Sequence, residues 1–135
     1  MSDNIALTQT DLITRLLDNL PVGYTKEKVK KPNLKFTTPK NDKWLRLTVI
    51  PFNTNSDAAT GEYTITRGLF VVDVQFPKST GDQAQLLDVQ TIRDLYKNKT
   101  FGNTQCQEAS IETIGDDGSW YSMQVNVNFY MAGFS

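Results

Sequence analysis

Hydrophobic and polar residues recur with two different periods along this chain, and each change of period marks an element. Leu12, Ile13, Leu16, Leu17 and Leu20 fall at helical spacing and make one apolar stripe. Thr8 or Thr10 is placed to cap this helix, and Asp11 suits the positive end of its dipole. Pro21 and Gly23 stop it. From Trp44 to Ile50 the period falls to two. Leu45, Leu47 and Val49 face one way, and Trp44, Arg46, Thr48 and Ile50 face the other, which predicts a strand ended by Pro51. Pro51 to Gly61 is rich in Asn, Ser, Thr, Asp and Gly and predicts a loop. A second strand is expected from Glu62 to Phe76, with a bulge or bend at Arg67-Gly68. Its second half, Leu69 to Phe76, is apolar on both faces except for Asp73 and Gln75. That is the pattern of a central strand covered on both sides, by helices or by a partner.

Pro77 to Gly81 turns the chain, and Thr80 or Asp82 can cap a second helix that runs to about Asn98. Ala84, Leu87, Ile92, Leu95 and Tyr96 supply its expected apolar face. Gln107 to Ile114 alternates moderately, and Gly115-Asp116-Asp117-Gly118 is a hairpin turn signal. Trp120 to Met131 then alternates throughout. Tyr121, Met123, Val125, Val127, Phe129 and Met131 form one face, against Trp120, Ser122, Gln124, Asn126, Asn128 and Tyr130 on the other. The polar face carries amides and no charge. It is either an ordinary solvent face or a surface that meets another protein or lines a ring, where amides are cheaper to desolvate than charges. Tyr24 to Asp42 is polar, lysine-rich and broken by Pro32 and Pro39. It predicts an extended arm with room for a short strand at Leu34 to Thr37, either a surface connection or an arm that reaches a neighbouring subunit. The order of elements predicts an α+β fold, with a mixed or antiparallel sheet of about four to five strands and two helices packed against it. Residues 1–135 are expected to form a single domain.

Composition removes several function classes. Hydrophobic residues make up 39% and charged residues 21%, which is neither disordered nor fibrous. Apolar runs such as Leu69 to Val72 are far too short to cross a bilayer, so no membrane partner is expected. Met1-Ser2-Asp3-Asn4 has neither a basic nor a long apolar stretch, so no signal peptide is expected, and synthesis in the host cytoplasm is the default. Histidine is absent, which removes the commonest general base and transition-metal ligand. With Cys106 as the one cysteine, neither a zinc set nor an internal disulfide is expected. Cys106 reads as a small buried or half-buried residue. The glycines Gly61, Gly68, Gly81 and Gly102 are scattered and form no phosphate loop. No catalytic residue, cofactor or metal is therefore expected.

Charge changes the picture more. The formal net charge is −1, but Lys26, Lys28, Lys30, Lys31, Lys35, Lys40, Lys43 and Arg46 crowd one stretch, opposed there only by Glu27 and Asp42. After Lys99 there is no basic residue, while Glu108, Glu112, Asp116 and Asp117 are acidic. Each segment is explained by a solvated face. A subunit basic on one side and acidic on the other would also suit head-to-tail association with copies of itself. Tyr24, Phe36 and Trp44 near the lysines raise nucleic-acid binding as an alternative, without any signature of an RNA-recognition or helix-turn-helix module.

Several of these segments together resemble a known family. They are the N-terminal helix, Trp44-Leu45-Arg46-Leu47-Thr48-Val49, and Arg67-Gly68-Leu69-Phe70-Val71-Val72-Asp73-Val74-Gln75-Phe76-Pro77. The Gly81 turn into a helix ending Leu95-Tyr96-Lys97 follows, then the Trp120-Tyr121 strand to Phe129-Tyr130-Met131. From about Leu12 to Met131 the chain is similar to the tail terminators of long-tailed siphophages. The resemblance implies a structural virion protein with no catalysis and no cofactor. It implies a homo-hexameric ring at the head–tail junction that caps the tail tube, stops its polymerisation and meets a head-completion protein. DNA would pass through without sequence-specific binding. A stopper or tail-completion protein of the same junction, and a small nucleic-acid-binding protein, are the alternatives. For a ring, the expected interface residues are Lys28, Lys30, Lys31, Trp44, Arg46 and Arg67 on a basic side and Glu108, Glu112, Asp116 and Asp117 on an acidic side. Trp120 and Tyr130 are expected as aromatic anchors.

Overall fold

The computed structural model describes residues 5–32, 34–56, 63–78, 81, 83–102 and 104–134. Helix α1 spans Ile5–Leu17. A 3-10 turn at Lys26–Lys28 leads into the two-residue strand β1, Val29–Lys30. Strands β2 (Trp44–Ser56) and β3 (Tyr63–Pro77) precede helix α2 (Gln83–Tyr96). Strand β4 (Thr100–Phe101) and the long pair β5 (Thr104–Asp117) and β6 (Trp120–Phe134) complete the order. The fold is α+β, as expected, but the mixed sheet has six strands where four to five were expected, in the order β1-β2-β3-β6-β5-β4. The extra members are the two-residue strands β1 and β4. They are too short to show a period of their own, and they edge the sheet at either side. Only β1 is parallel to its neighbour.

The core forms where one face of the sheet meets both helices. Leu12 and Leu16 of α1, and Val89, Ile92 and Tyr96 of α2, are buried against Leu45, Phe70, Val72, Val74, Met123, Val125, Val127 and Phe129. The alternation of β6 holds along its described side chains: Met123, Val125, Val127, Phe129 and Met131 are buried on that face. Tyr96 sits at the centre, edge-on to Phe70 with ring centroids 5.3 Å apart, and its hydroxyl donates to the Leu12 carbonyl across the two helices. Cys106 is buried in the same layer, and burial pushes its thiol up to about 12.

Several local expectations are corrected. Helix α1 begins before Thr8 and Thr10, so neither is its cap; Thr8 is buried inside it and donates its hydroxyl to the Met131 sulfur. The strand of the arm lies at Val29–Lys30, not at Leu34 to Thr37. Pro51 does not end β2. A register shift between Pro51 and Asn53 accommodates it, and the strand continues to Ser56. A proline there is tolerated because that part of β2 lies at the sheet edge, beyond the two residues that β1 pairs. The bulge therefore lies in β2, opposite Gly68, rather than at Arg67-Gly68 itself. Gly68 has a separate reason to be glycine: a Cβ there would come within 2.5 Å of the Phe129 ring and 2.8 Å of the Ile50 carbonyl oxygen. The expected loop after Ser56 and the expected caps Thr80 and Asp82 lie outside the described residues.

The face of α2 also differs. Leu87 is 58% exposed, while Gln85 is fully buried. The Gln85 amide donates to the carbonyls of Val74 and Tyr121, so it pins the helix to the ends of β3 and β6. The β5–β6 hairpin turns at Gly118-Ser119, with Gly115 to Asp117 still in the strand. Gly118 has φ +65°, at the first turn position where a two-residue hairpin favours glycine.

Candidate assembly surface

Alternation sends every second residue of the sheet away from the helices, and pairing aligns those residues in rows. One row reads Lys30, Arg46, Asp73, Gln124, Glu112 from β1 to β5. The next toward the strand ends reads Trp44, Gln75, Ser122, and on the other side lies Thr48, Val71, Asn126, Ser110. Both helices pack on the opposite face, so β3 is central, as expected, but helices cover only one side of it.

The middle of this outer face is closed by hydrogen bonds between side chains. Asp73 is 5% exposed and accepts from Arg46 Nε at 3.0 Å and Gln124 Nε2 at 2.7 Å, one donor on each carboxylate oxygen. A buried carboxylate needs this pairing, since losing it leaves a desolvated charge. In the adjacent row the Ser122 hydroxyl donates to Gln75 Oε1 at 2.5 Å, and both residues are buried. The Tyr130 hydroxyl donates to Gln105 Oε1 near the far end of β5.

An aromatic group closes the end of the face where β2 begins. Trp44 lies between Phe36 of the arm, at 5.1 Å, and Trp120, at 5.8 Å and nearly perpendicular. Its indole N–H is buried without a hydrogen-bond partner among the described residues. The arm is tied down at its base by a second network. Asp88 of α2 accepts from the Tyr24 hydroxyl at 2.9 Å and from Lys43 Nζ at 3.0 Å, and that ammonium lies 4.4 Å from the Tyr24 ring centre. Burial and the neighbouring Asp88 carboxylate push the Tyr24 hydroxyl well above its usual range. Lys28 is bound to Asp42, and that hydrogen bond holds the Asp42 carboxyl below its usual range.

The residues singled out in the sequence fall in different settings. Trp44 and Trp120 are brought together, and Arg46 shares a row with Glu112. Arg67 and Glu108 line one cleft with Gly68, Gln107, Asn128 and Phe129. Lys28 is already occupied by Asp42, whereas Lys30, Arg67, Glu108, Glu112 and Asp116 are exposed and have no ion-pair partner among the described residues. Lys31 is half-buried beside the lysine cleft of the arm. The side chain of Asp117 lies outside the described residues. The sequence did not single out Gln124, Gln75, Ser122 or Asp88 as partners. Asp73 stood out as a polar residue in an apolar strand, but its partners lie on different strands and become visible only through the register.

Among the described residues, no group of three or more His, Cys, Asp or Glu side chains is placed to hold a metal ion, and no helix is long and apolar enough to cross a membrane. The outer face is polar and internally bonded in its middle, charged at its margins and closed by aromatics at one end. The model of the phage tail terminator protein family matches residues 11–129, and the chain belongs to that family. Its members are structural proteins of the virion tail, so this chain has a structural role in a phage tail. No curated protein matches the sequence. A solved protein structure is similar in fold, with a TM-score of 0.66 at 22% identity over 90% of this chain and 94% of that one.

Proposed function

We propose that this protein is the tail terminator of a siphophage, acting as a hexameric ring at the head–tail junction. The ring docks on the last ring of the tail tube through one face. Its other face lacks the tube's docking surface, so a further tube ring cannot add, and a head-completion protein binds there instead. DNA passes through the centre without sequence-specific contacts. The family match over residues 11–129 carries this proposal. The uneven charge supports the ring: exposed Lys30 at the β1 margin and exposed Glu112 and Asp116 on β5 at the other side of the sheet suit a heterologous contact that closes on itself, whereas Arg67 and Glu108 share one cleft and do not mark opposite sides. Trp120 and Tyr130 stand at opposite ends of the outer face as anchors.

The direct test is to add the purified protein to tail-tube protein during polymerisation and examine the tubes by electron microscopy. Tubes that stop growing and carry a ring of density at one end are expected. Unaltered tube length with no bound protein would refute termination. Light scattering over a range of concentration and salt follows the ring itself, which is expected to loosen as salt rises. A salt-sensitive DNA gel shift without any effect on tubes would favour the nucleic-acid-binding alternative.

A further inference from the structure

The two margins of the sheet carry opposite charge in one row. At one margin Lys30 of β1 is exposed, followed inward by Arg46. At the other, Glu112 of β5 is exposed, opposite Gln124. Between them Asp73 consumes the Arg46 guanidinium and the Gln124 amide, so the row is neutralised inside and unpaired only at its two ends. Both margins also leave backbone open. Strand β1 pairs only Leu45 and Arg46 of β2. Strand β4, with Asn98 and Lys99 before it, covers β5 only as far as Gln107. Beyond that point Ser110, Glu112, Thr113 and Ile114 are all exposed, the last by 50%.

We infer that the β5 margin of one copy lies against the β1 margin of the next, with Glu112 meeting Lys30 so that the polar row continues from subunit to subunit. The occupant is a second copy of this chain, and the inference rests on the ring proposed above. Charged residues on an open strand edge block promiscuous pairing. Here they block β5 against β5 and β1 against β1, since like charges would meet, and leave the head-to-tail contact favoured. The row also bears on closure. Lys30 and Glu112 stand at the same level along the strands, so joining them adds no displacement in the strand direction. With strands running along the ring axis, such a contact closes into a ring; an offset contact would wind into a filament.

The test places cysteines at the two ends of the row, in Lys30→Cys/Glu112→Cys, and oxidises the protein alone and on tail tubes. Native Cys106 can stay, because it is buried and its thiol is not ionised at neutral pH. Non-reducing electrophoresis is expected to show a covalent ladder ending at the ring's subunit number, and Lys30→Cys alone is expected to show none. Glu112→Lys is expected to raise the concentration needed for half-assembly on the order of tenfold or more, and Lys30→Glu in the same chain is expected to restore it. Rings that form without the ladder and tolerate Glu112→Lys would overturn the edge contact and leave the ring standing. No ring under any condition, with or without tubes, would overturn the ring and the edge contact together.

Discussion

Along β6, neighbouring residues obey different constraints. Met123, Val125, Val127 and Phe129 are buried under α1 and α2 in an apolar layer, while Gln124, Asn126 and Tyr130 remain partly accessible and Asn128 is exposed. On the helix side, stability comes from apolar area removed from water, and side chains of similar shape can replace one another. On the other side, beside the buried Trp44 and Val71, the buried groups include polar ones that each depend on a particular partner: Asp73 on Arg46 and Gln124, Ser122 on Gln75. Such pairing contributes modest net stability but is costly to break one-sidedly. One face thus holds the fold together, and the other fixes the pattern of groups that a neighbour would meet.

Mutations can separate the two faces. The largest loss is expected from Phe70→Ala, which opens a cavity beside Tyr96 and should cost about 3–5 kcal/mol in denaturant unfolding. A loss under about 1 kcal/mol would mean that the helix layer does not dominate stability. Gly68→Ala should follow at roughly 1–3 kcal/mol, because the Phe129 ring must move. Arg46→Ala should cost about 1–2 kcal/mol. The Arg46 side chain is 40% exposed, which weakens the pair, but Asp73 is left with one donor. Adding Asp73→Asn should recover part of that loss, whereas additive effects would show that the pair is not coupled. Asn126→Ala, in the open part of the same face, should stay within about 0.5 kcal/mol.

The last effect expected is one of pH, and it is absent at neutrality. Burial raises the Cys106 thiol from its ordinary value of 9.0 to about 12 in the folded chain. The folded state therefore holds that proton longer than the unfolded state. Its contribution to stability is fully present below pH 9 and is lost as pH rises toward about 12. Thiol-reagent kinetics at pH 8 should accordingly be slow in the native protein and fast after unfolding. Rapid native labelling would place Cys106 at the surface.

The long periodic elements were legible because their pattern repeats often enough to outweigh local exceptions. The stripe of α1, the alternation of β2 and the two faces of β6 are such cases. What escaped depends on partners distant in sequence. Gln85 looks like a solvent residue until the free carbonyls at the ends of β3 and β6 give its amide two acceptors. Leu87 looks like a core residue until the helix rotates to suit Gln85, Val89 and Ile92. The strand edge spares Pro51 the hydrogen bond it cannot make, so β2 outruns the proline that was expected to end it. In the candidate surface, Trp44, Arg46, Glu112 and Trp120 were legible as members of their strands and as expected ring-interface residues, with a solvated face explaining the charged ones. Their arrangement in rows was not visible, since each row crosses strands joined by a helix and two hairpins.

The aromatic group at the end of the outer face also has an optical consequence. The chain contains two tryptophans, and they are the pair whose rings meet at 5.8 Å and 84°. Their excited states are close enough to couple, so the tryptophan fluorescence and the tryptophan bands of the aromatic circular dichroism come from a single spot. That spot lies where the lysine arm returns to the sheet through Phe36. The natural chain thus carries an unlabelled reporter of any partner that settles on that end, and unfolding elsewhere alters its signal only by releasing the pair.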